Sequence, residues 1–368
     1  MTYFVVGAGF TGATVAERIA TVLGEEVLVV ERRPYVGGSA ADYRTDDGLL
    51  IQRYGPHVFH TNSARVWEYA QRFATWRPIK YKVAAQVGDQ LYPLPLGFEA
   101  VRRGAWARGL GQEIIERLTE VYGRGARVGI RELQRHAHFQ PLADWAIKYI
   151  FRGYNEKHWG LAFEDVPQSV IARLPFIVGD QETYFTDEHQ AVPVDGYTET
   201  ISRMLDHSKI KIRLGHAING PPIWWRGDRI IWTGSPDDFF GEDGALPYRS
   251  VQFDISQRGL RDGWSAFHTV TNPEHDGPTR ATNMALMNGV EDTPASVIVT
   301  DYPSAYKCGK NEPLYPIPLE ANIRLAQEYA SRAPKNVWFA GRLGSYTYLN
   351  MDQAIARGLA LFERIKSA

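Results

Sequence analysis

Apolar residues follow two rhythms along this chain, and the switches between them mark its elements. Two short apolar runs, Tyr3 to Val6 and Val27 to Val30, read as buried strands. Between them lie the turn Gly7-Ala8-Gly9-Phe10-Thr11-Gly12 and a segment with helical spacing, and the second run ends on Glu31. Near the C-terminus, Asn336-Val337-Trp338-Phe339-Ala340 runs into Gly341-Arg342-Leu343-Gly344 and then the patterned segment Met351 to Ile365, again strand, turn and helix. From about residue 97 to 180 helical periodicity dominates, in Ala105 to Tyr122 and Pro141 to Tyr149. Alternating runs at Lys82 to Val87, Ile210 to Leu214 and Val297 to Asp301 read as strands. With no repeat and no low-complexity stretch, the N-terminal domain must be assembled from separated pieces, with a helical insertion and a sheet region between them.

Strand, glycine turn, helix and a following acid make a dinucleotide-binding unit. Gly7 permits the tight turn, Gly9 lets the backbone approach a pyrophosphate, and Gly12 lets helix pack on strand, with the helix N-terminus facing the phosphates. Phe10 and Thr11 complete the turn, and Glu31 is placed to hold a ribose hydroxyl. The next turn, Arg32-Arg33-Pro34-Tyr35-Val36-Gly37-Gly38-Ser39-Ala40, carries paired glycines that allow a second close backbone approach, as in the FAD-binding branch of this fold. The C-terminal strand, turn and helix fit a flavin fold returning to close on its cofactor.

Composition narrows the class. The 368 residues give room for two or three domains and a sizeable core. A net charge of -1 offers no electrostatic case for nucleic acid or an anionic membrane. The lone cysteine, Cys308, excludes an internal disulfide and suits a reducing cytoplasm. No signal peptide, no run of membrane-span length and no metal-ligand spacing is read, so a cytoplasmic enzyme without a metal is expected.

A series of motifs, in order, resembles the bacterial UDP-galactopyranose mutases over nearly the whole chain. They are Tyr54-Gly55-Pro56-His57-Val58-Phe59-His60-Thr61-Asn62, Gly153-Tyr154-Asn155-Glu156-Lys157-His158-Trp159-Gly160, Val192-Pro193-Val194-Asp195-Gly196-Tyr197, Thr233-Gly234, Leu246-Pro247-Tyr248-Arg249-Ser250, Tyr315-Pro316-Ile317 and Gly341-Arg342-Leu343-Gly344-Ser345-Tyr346-Thr347-Tyr348. The resemblance implies an α/β chain: a FAD-binding Rossmann-like domain (residues 1–75, 195–235 and 331–368), a helical insertion domain (97–183) and an antiparallel sheet domain (76–96, 184–194 and 236–330). It also implies a mutase interconverting pyranose and furanose forms of a nucleotide-activated sugar. In that family reduced FAD attacks the anomeric carbon through N5, displaces the nucleotide diphosphate, and passes through an open sugar iminium before the ring recloses, with no net redox. NAD(P)H is a candidate reductant, and relatives in the family are often homodimers.

Carried over by position, the resemblance places His57 against the flavin and His60 on a second active-site histidine. Arg342 faces flavin and sugar, and Tyr348 completes the expected catalytic set. The cofactor set is Gly7, Gly9, Phe10, Thr11, Gly12, Glu31, Arg32, Gly38, Ser39, Tyr54, His57, Gly341, Arg342, Met351 and Asp352. For substrate, Tyr154 and Trp159 line the nucleotide pocket with Phe151 placed to stack a base. Tyr315 and Tyr348 hydrogen-bond the diphosphate, and Tyr184, Arg342 and Asn350 join them.

Three positions depart from the family. Its diphosphate-clamping arginine on a mobile loop aligns with Ile177, in Arg173-Leu174-Pro175-Phe176-Ile177 ahead of Tyr184-Phe185-Thr186-Asp187. A second basic residue aligns with Thr300, and one acid of the family's ending becomes Asn350 in Tyr348-Leu349-Asn350-Met351-Asp352. Truncating a charge-assisted phosphate contact costs about 2–5 kcal/mol, so two losses change the substrate unless other cations compensate. Arg173 and Arg280 are the candidates for that role. Two other classes stay open on the sequence: an FAD-dependent oxidoreductase acting on a sugar or amine, and a flavin-binding homologue without catalysis.

Overall fold

A computed structural model describes residues 2–46, 48–104, 109–218, 220, 229–242, 244–259, 266–274, 276–290 and 295–367. The chain divides into two compact units, Met1–Ile79 with Asp187–Ser250 and Ala305–Ala368, and Lys80–Thr186 with Val251–Ser304.

The first unit is built on a five-stranded parallel sheet in the order Ile210–Leu214, Glu26–Glu31, Thr2–Val6, Arg229–Trp232, Val337–Phe339. Its inner strands are continuous apolar runs because helices cover both faces, leaving Val5 and Val29 fully buried. On one face the helices Phe10–Arg18, Tyr197–Leu205 and Met351–Lys366 meet over a core that includes Tyr3, Ala13, Ile201, Leu359 and Phe362. This is the Rossmann-like arrangement expected from the glycine turn. The C-terminal strand and helix return beside it, the threonine hydroxyl of Thr11 donating to the Ala354 carbonyl at 3.1 Å. Strand order reverses between Thr2–Val6 and Arg229–Trp232, and ligands of such sheets bind beyond the carboxyl ends of the strands at that point.

The second unit combines helices with a sheet. Helices Phe98–Arg103, Gly111–Tyr122 and Ile130–Arg135 precede a longer rod, Gln140–Ala146 and Arg152–Trp159, joined by the wider helical turn Ile147–Phe151. Pro141 sits in the first turn of that rod, where its missing N–H is not needed. Of the expected helix Ala105 to Tyr122, residues 105–108 lie outside the described residues and the helix begins at Gly111, after Gly109 and Leu110. In the sheet, Arg280–Asn283 pairs antiparallel with Ala295–Ala305 and with Thr269–Thr271. Val83–Val87 pairs antiparallel with Gln90–Leu94, and its pairing with Thr269–Thr271 is parallel. The sheet predicted as antiparallel therefore contains one parallel pair. Among the described residues no helix is long and apolar enough to cross a membrane.

Gly12 tests the logic of the first unit. A Cβ there would lie 2.1 Å from the Gly7 carbonyl oxygen and 3.1 Å from Val5 Cγ1. Gly12→Val is therefore expected to lose about 1–3 kcal/mol or more by overpacking, read by denaturant unfolding. Gly179→Ala, where a Cβ meets nothing within 4 Å, is the control and should unfold like the native chain.

Candidate cofactor cavity and flanking polar sites

A cleft of about 1330 Å³, counting open solvent at its mouth, lies in the first unit beyond the carboxyl ends of strands Thr2–Val6 and Arg229–Trp232. Its walls come from several distant stretches of chain, with Thr233 and Leu314 among the lining residues. Gly7, Gly9, Phe10, Thr11 and Gly12 form one wall, Glu31, Arg32, Gly38 and Ser39 a second, and Gly341, Arg342, Asn350 and Met351 a third. His57 also lines it, whereas Tyr54, His60, Tyr315, Tyr348 and Asp352 are not lining residues.

The helix Phe10–Arg18 opens on this cavity with Gly9 as its N-cap and no side chain capping it. Its first-turn N–H groups, together with the positive end of the helix, are therefore presented to an anion. Gly38 faces Gly9 across the cleft floor at a φ of 57°, and a Cβ on it would lie 2.9 Å from Gly9 Cα. Glu31 ends its strand with one carboxylate oxygen accepting from the Ala8 N–H at 2.9 Å and the other from the Arg33 N–H at 3.0 Å. Beside it Arg33 Nη2 donates to Glu312 at 2.6 Å, Arg32 pairs with the same carboxylate, and Arg33 stacks over the Tyr54 ring. Burial holds the Tyr54 phenol above its ordinary range.

The Gly341 side carries the cation. Arg342 Nε and Nη2 donate to the Leu349 carbonyl at 3.2 and 2.6 Å, and Nη1 to the Leu314 carbonyl at 3.3 Å. Its guanidinium lies 5.3 Å from the Tyr315 ring centre and 5.2 Å from that of Tyr348, two rings that meet edge to face. Among the described residues no carboxylate pairs with Arg342, so backbone carbonyls and aromatic faces hold a net positive charge at the cavity. Tyr346, at a φ of 45°, turns the chain between Arg342 and Tyr348 and is anchored through its hydroxyl to the carbonyls of Pro247 and Ile317.

The two histidines are fixed by different means. Buried Gln52 grips the His57 backbone at both ends, its Oε1 accepting from the His57 N–H at 2.6 Å and its Nε2 donating to the His57 carbonyl at 2.9 Å. The Tyr197 hydroxyl donates to that carbonyl too, at 3.1 Å, and His57 Nδ1 meets the Gly55 carbonyl at 2.8 Å. His60 projects from the strand Phe59–Thr61 and meets Asp187 through Nδ1 at 2.8 Å and Asn350 through Nε2 at 3.4 Å. Asp352, in the first turn of the following helix, has one buried carboxylate oxygen without a hydrogen-bond partner among the described residues.

The remaining expected substrate residues belong to the second unit. Phe151 and Trp159 are buried, Tyr154 stacks on His158, Arg173 is exposed, and Tyr184 packs edge-on against Tyr81. Arg280 Nε donates to Asp301, which is 1% exposed, at 2.5 Å. Ile177 and Thr300, the positions aligned with the family's basic residues, are buried in strands. Lys157, within the Gly153–Gly160 motif, donates to the carbonyls of Asn272 and Pro278 at 2.9 and 2.8 Å. Burial draws its ammonium down to about 8, against the opposing pull of Glu274 and Asp276. Among the described residues no cluster of metal-ligating side chains is present.

Gln52, Asp187, Thr233 and Tyr346 were not singled out as site residues from the sequence. Thr233 lies within the Thr-Gly pair, Asp187 within the Tyr184 segment and Tyr346 within the C-terminal motif. For Gln52 the chain offers no signal, because an isolated glutamine in a short strand is unremarkable until the fold bends His57 onto it.

Comparison with known proteins gives a concordant picture. A family profile described as UDP-galactopyranose mutase matches residues 149–348, and one described as an NAD(P)-binding Rossmann-like domain matches residues 5–73. The chain is 30% identical to a probable UDP-galactopyranose mutase of Klebsiella pneumoniae over 99% of this chain and 94% of that one. It is 28% identical to the dTDP-fucopyranose mutase of Escherichia coli over 96% of each. Among solved structures, reduced UDP-galactopyranose mutase superimposes with a TM-score of 0.73 at 14% identity, covering 100% of this chain and 94% of the other.

The Lys157 environment makes a pH prediction. Because the folded ammonium titrates near 8 and an unfolded lysine near 10.5, the unfolded chain binds the proton more tightly in between. The contribution of Lys157 to stability should therefore rise with pH across that window, and its penalty should be fully present below 8. Lysine-selective carbon NMR should show one side chain titrating near pH 8 that vanishes in Lys157→Met; ordinary titration of every lysine would refute this.

Proposed function

From the membership of this chain in the UDP-galactopyranose mutase family, an isomerase family, we propose that it is a flavin-dependent mutase contracting the pyranose ring of a nucleotide-activated sugar. The observation that carries the proposal is the cavity itself. Uncapped helix amides and side-chain-free glycines stand on one wall, and Arg342, a cation with no carboxylate partner among the described residues, stands on another.

These residues fit FAD. The first turn of Phe10–Arg18 would hold the pyrophosphate, and Gly38 and Ser39 would approach the same group from the second wall. Glu31, with both oxygens already oriented by backbone donors, would accept from a ribose hydroxyl. The Gly341–Arg342 turn and Met351 would close on the isoalloxazine end. Reduced flavin bound there supplies an N5 nucleophile toward the anomeric carbon without net electron transfer.

The protein's own share is positioning and charge. Arg342 would stabilise negative charge on the departing and returning diphosphate, and Tyr315 and Tyr348, which flank its guanidinium, would donate to the same oxygens. Gln52 and Tyr197 would immobilise His57 beside the flavin. In the second unit, Tyr154, Phe151, Trp159, Tyr184, Arg173 and Arg280 are proposed for the nucleotide. The interleaved domain division read from the sequence is retained as part of this proposal, as are NAD(P)H as reductant and a homodimer. Relatives named for UDP-galactopyranose and dTDP-fucopyranose define the panel of candidate substrates.

The purified protein should be yellow and release FAD on denaturation, and Gly9→Val should abolish binding; a colourless protein that cannot be loaded with FAD refutes the cofactor. Isomerisation of a panel of uridine and thymidine diphosphate sugars should require prior reduction and consume no reductant stoichiometrically. Reductive trapping during turnover should raise the mass of the flavin by one sugar. Steady flavin reduction by substrate would instead identify an oxidoreductase, and sugar binding without turnover a protein that has lost catalysis.

Arg342→Ala should weaken transition-state binding by about 2–5 kcal/mol in kcat/KM, with Arg342→Lys recovering part of it. An Arg342→Ala enzyme of native efficiency would exclude the role assigned to this cation.

A further inference from the structure

The contact between His60 and Asn350 has a direction that can be worked out from the helix it belongs to. Asn350 is the N-cap of Met351–Lys366 and forms a capping box with Gln353. Its side chain accepts from the Gln353 backbone N–H, and the Gln353 side chain accepts from the Asn350 N–H at 3.0 Å. An amide has one acceptor oxygen and one donor NH2 group, so a cap that uses the oxygen leaves the NH2 for any other partner. That NH2, Nδ2, is the group 3.4 Å from His60 Nε2. A donor facing Nε2 requires a lone pair there, which places the ring hydrogen on Nδ1. The second contact agrees, since Nδ1 lies 2.8 Å from Asp187 Oδ2, an acceptor. Asp187 is fixed in turn: its Oδ1 accepts from Asn62 Nδ2 at 2.8 Å, and its backbone carbonyl accepts from Gln190 Nε2 at 2.9 Å.

We propose that Asn350 is a positioning residue whose helix-capping amide locks His60 as the Nδ1–H tautomer, its NH2 group occupying the Nε2 lone pair at the edge of the cofactor cavity. The lock is built from local geometry: the cap fixes the amide, the amide fixes the imidazole, and Asp187 holds the opposite nitrogen. Asn350 lines the cavity, so an amide rather than a carboxylate stands at its edge two residues after the Tyr348 ring that flanks Arg342. An aspartate at 350 could cap the same helix, but its second oxygen would face Nε2 as an acceptor and demand a hydrogen there. The choice between amide and acid thus sets both which nitrogens of His60 carry hydrogen and the sign of the charge at this edge. The placement follows from the contacts alone; only its use, a fixed imidazole orientation beside the bound sugar, rests on the mutase reading.

The test is spectroscopic and independent of turnover. Full-length protein labelled with nitrogen-15 histidine gives long-range proton–nitrogen correlations at a fixed pH of about 7.5, with the His60→Gln spectrum identifying the His60 signals. The native protein should show a protonated Nδ1 and a bare Nε2. Asn350→Asp should place a hydrogen on Nε2 as well, since Asp187 still accepts from Nδ1, and Asn350→Ser, which keeps a capping oxygen but lacks the amide donor, should lower the population with a bare Nε2. A native spectrum with Nε2–H overturns the proposal. So does an Asn350→Asp spectrum with Nε2 still bare, and an unchanged Asn350→Ser spectrum would assign the tautomer to Asp187 alone. Should Asn350→Asp fail to fold, the native and Asn350→Ser spectra decide. Absence of mutase activity with the tautomer confirmed would count against the proposed function and leave the lock standing.

Discussion

Backbone must approach backbone at the carboxyl end of the parallel sheet, and everything in the first unit depends on that approach. A Cβ at Gly12 would penetrate the Gly7 carbonyl, one at Gly38 would press on Gly9 Cα, and one at Gly344 would sit 2.6 Å from the Trp232 carbonyl. These three contacts join the N-terminal turn, the turn after the second strand and the returning C-terminal segment. Bulk at any of them would separate the walls of the cavity or fill its floor. The binding surface is consequently made of amide groups and a helix end, which are rigid, while the side chains that confer charge and shape stand at the perimeter.

That constraint explains which parts could be read from the chain. Glycine spacing and an apolar run are local signals, so the strand, turn and helix at residues 2–18, the acid at Glu31 and the return through Gly341 to the helix Met351–Lys366 were all legible. What could not be read are the partners brought in by tertiary bending. Gln52 and Tyr197 meet on the His57 carbonyl from different elements, and Asp187 reaches His60 from just ahead of the strand His189–Pro193, which pairs antiparallel with Phe59–Thr61. No periodicity encodes such meetings. Conversely, the C-terminal rod of the helical region runs on from the predicted Pro141–Tyr149 to Trp159, because its apolar spacing slips at the wide turn Ile147–Phe151.

Polar groups around the cavity are arranged so that backbone, rather than opposite charge, satisfies them. Arg342 spends three N–H groups on two carbonyls, and the His57 peptide is held by an amide and a phenol. Among the described residues such pairing fixes orientation while leaving the guanidinium without a carboxylate partner. Arg32 and Arg33 show the opposite treatment, both tied to Glu312.

The same distinction bears on Ile177 and Thr300, the positions where the sequence resemblance leads to the expectation of basic residues. Thr300 is 2% exposed in a central strand, and Ile177 is paired in a strand and nearly as deeply buried. An arginine at Thr300 would enter a dry interior with its charge unpaired, which costs several kcal/mol, so these positions are structural in this chain. Arg280 does not replace the missing charge freely, because buried Asp301 already neutralises it, and Asp301 is itself pushed toward its protonated form by burial. Its second oxygen has no hydrogen-bond partner among the described residues. Among the described residues Arg342 combines a place on the cavity wall with a charge that no carboxylate hydrogen-bonds, and the amide of Asn350 adds no negative charge to the same wall. The electrostatics of this site therefore come from withholding negative charge near one well-held arginine as much as from adding positive charge.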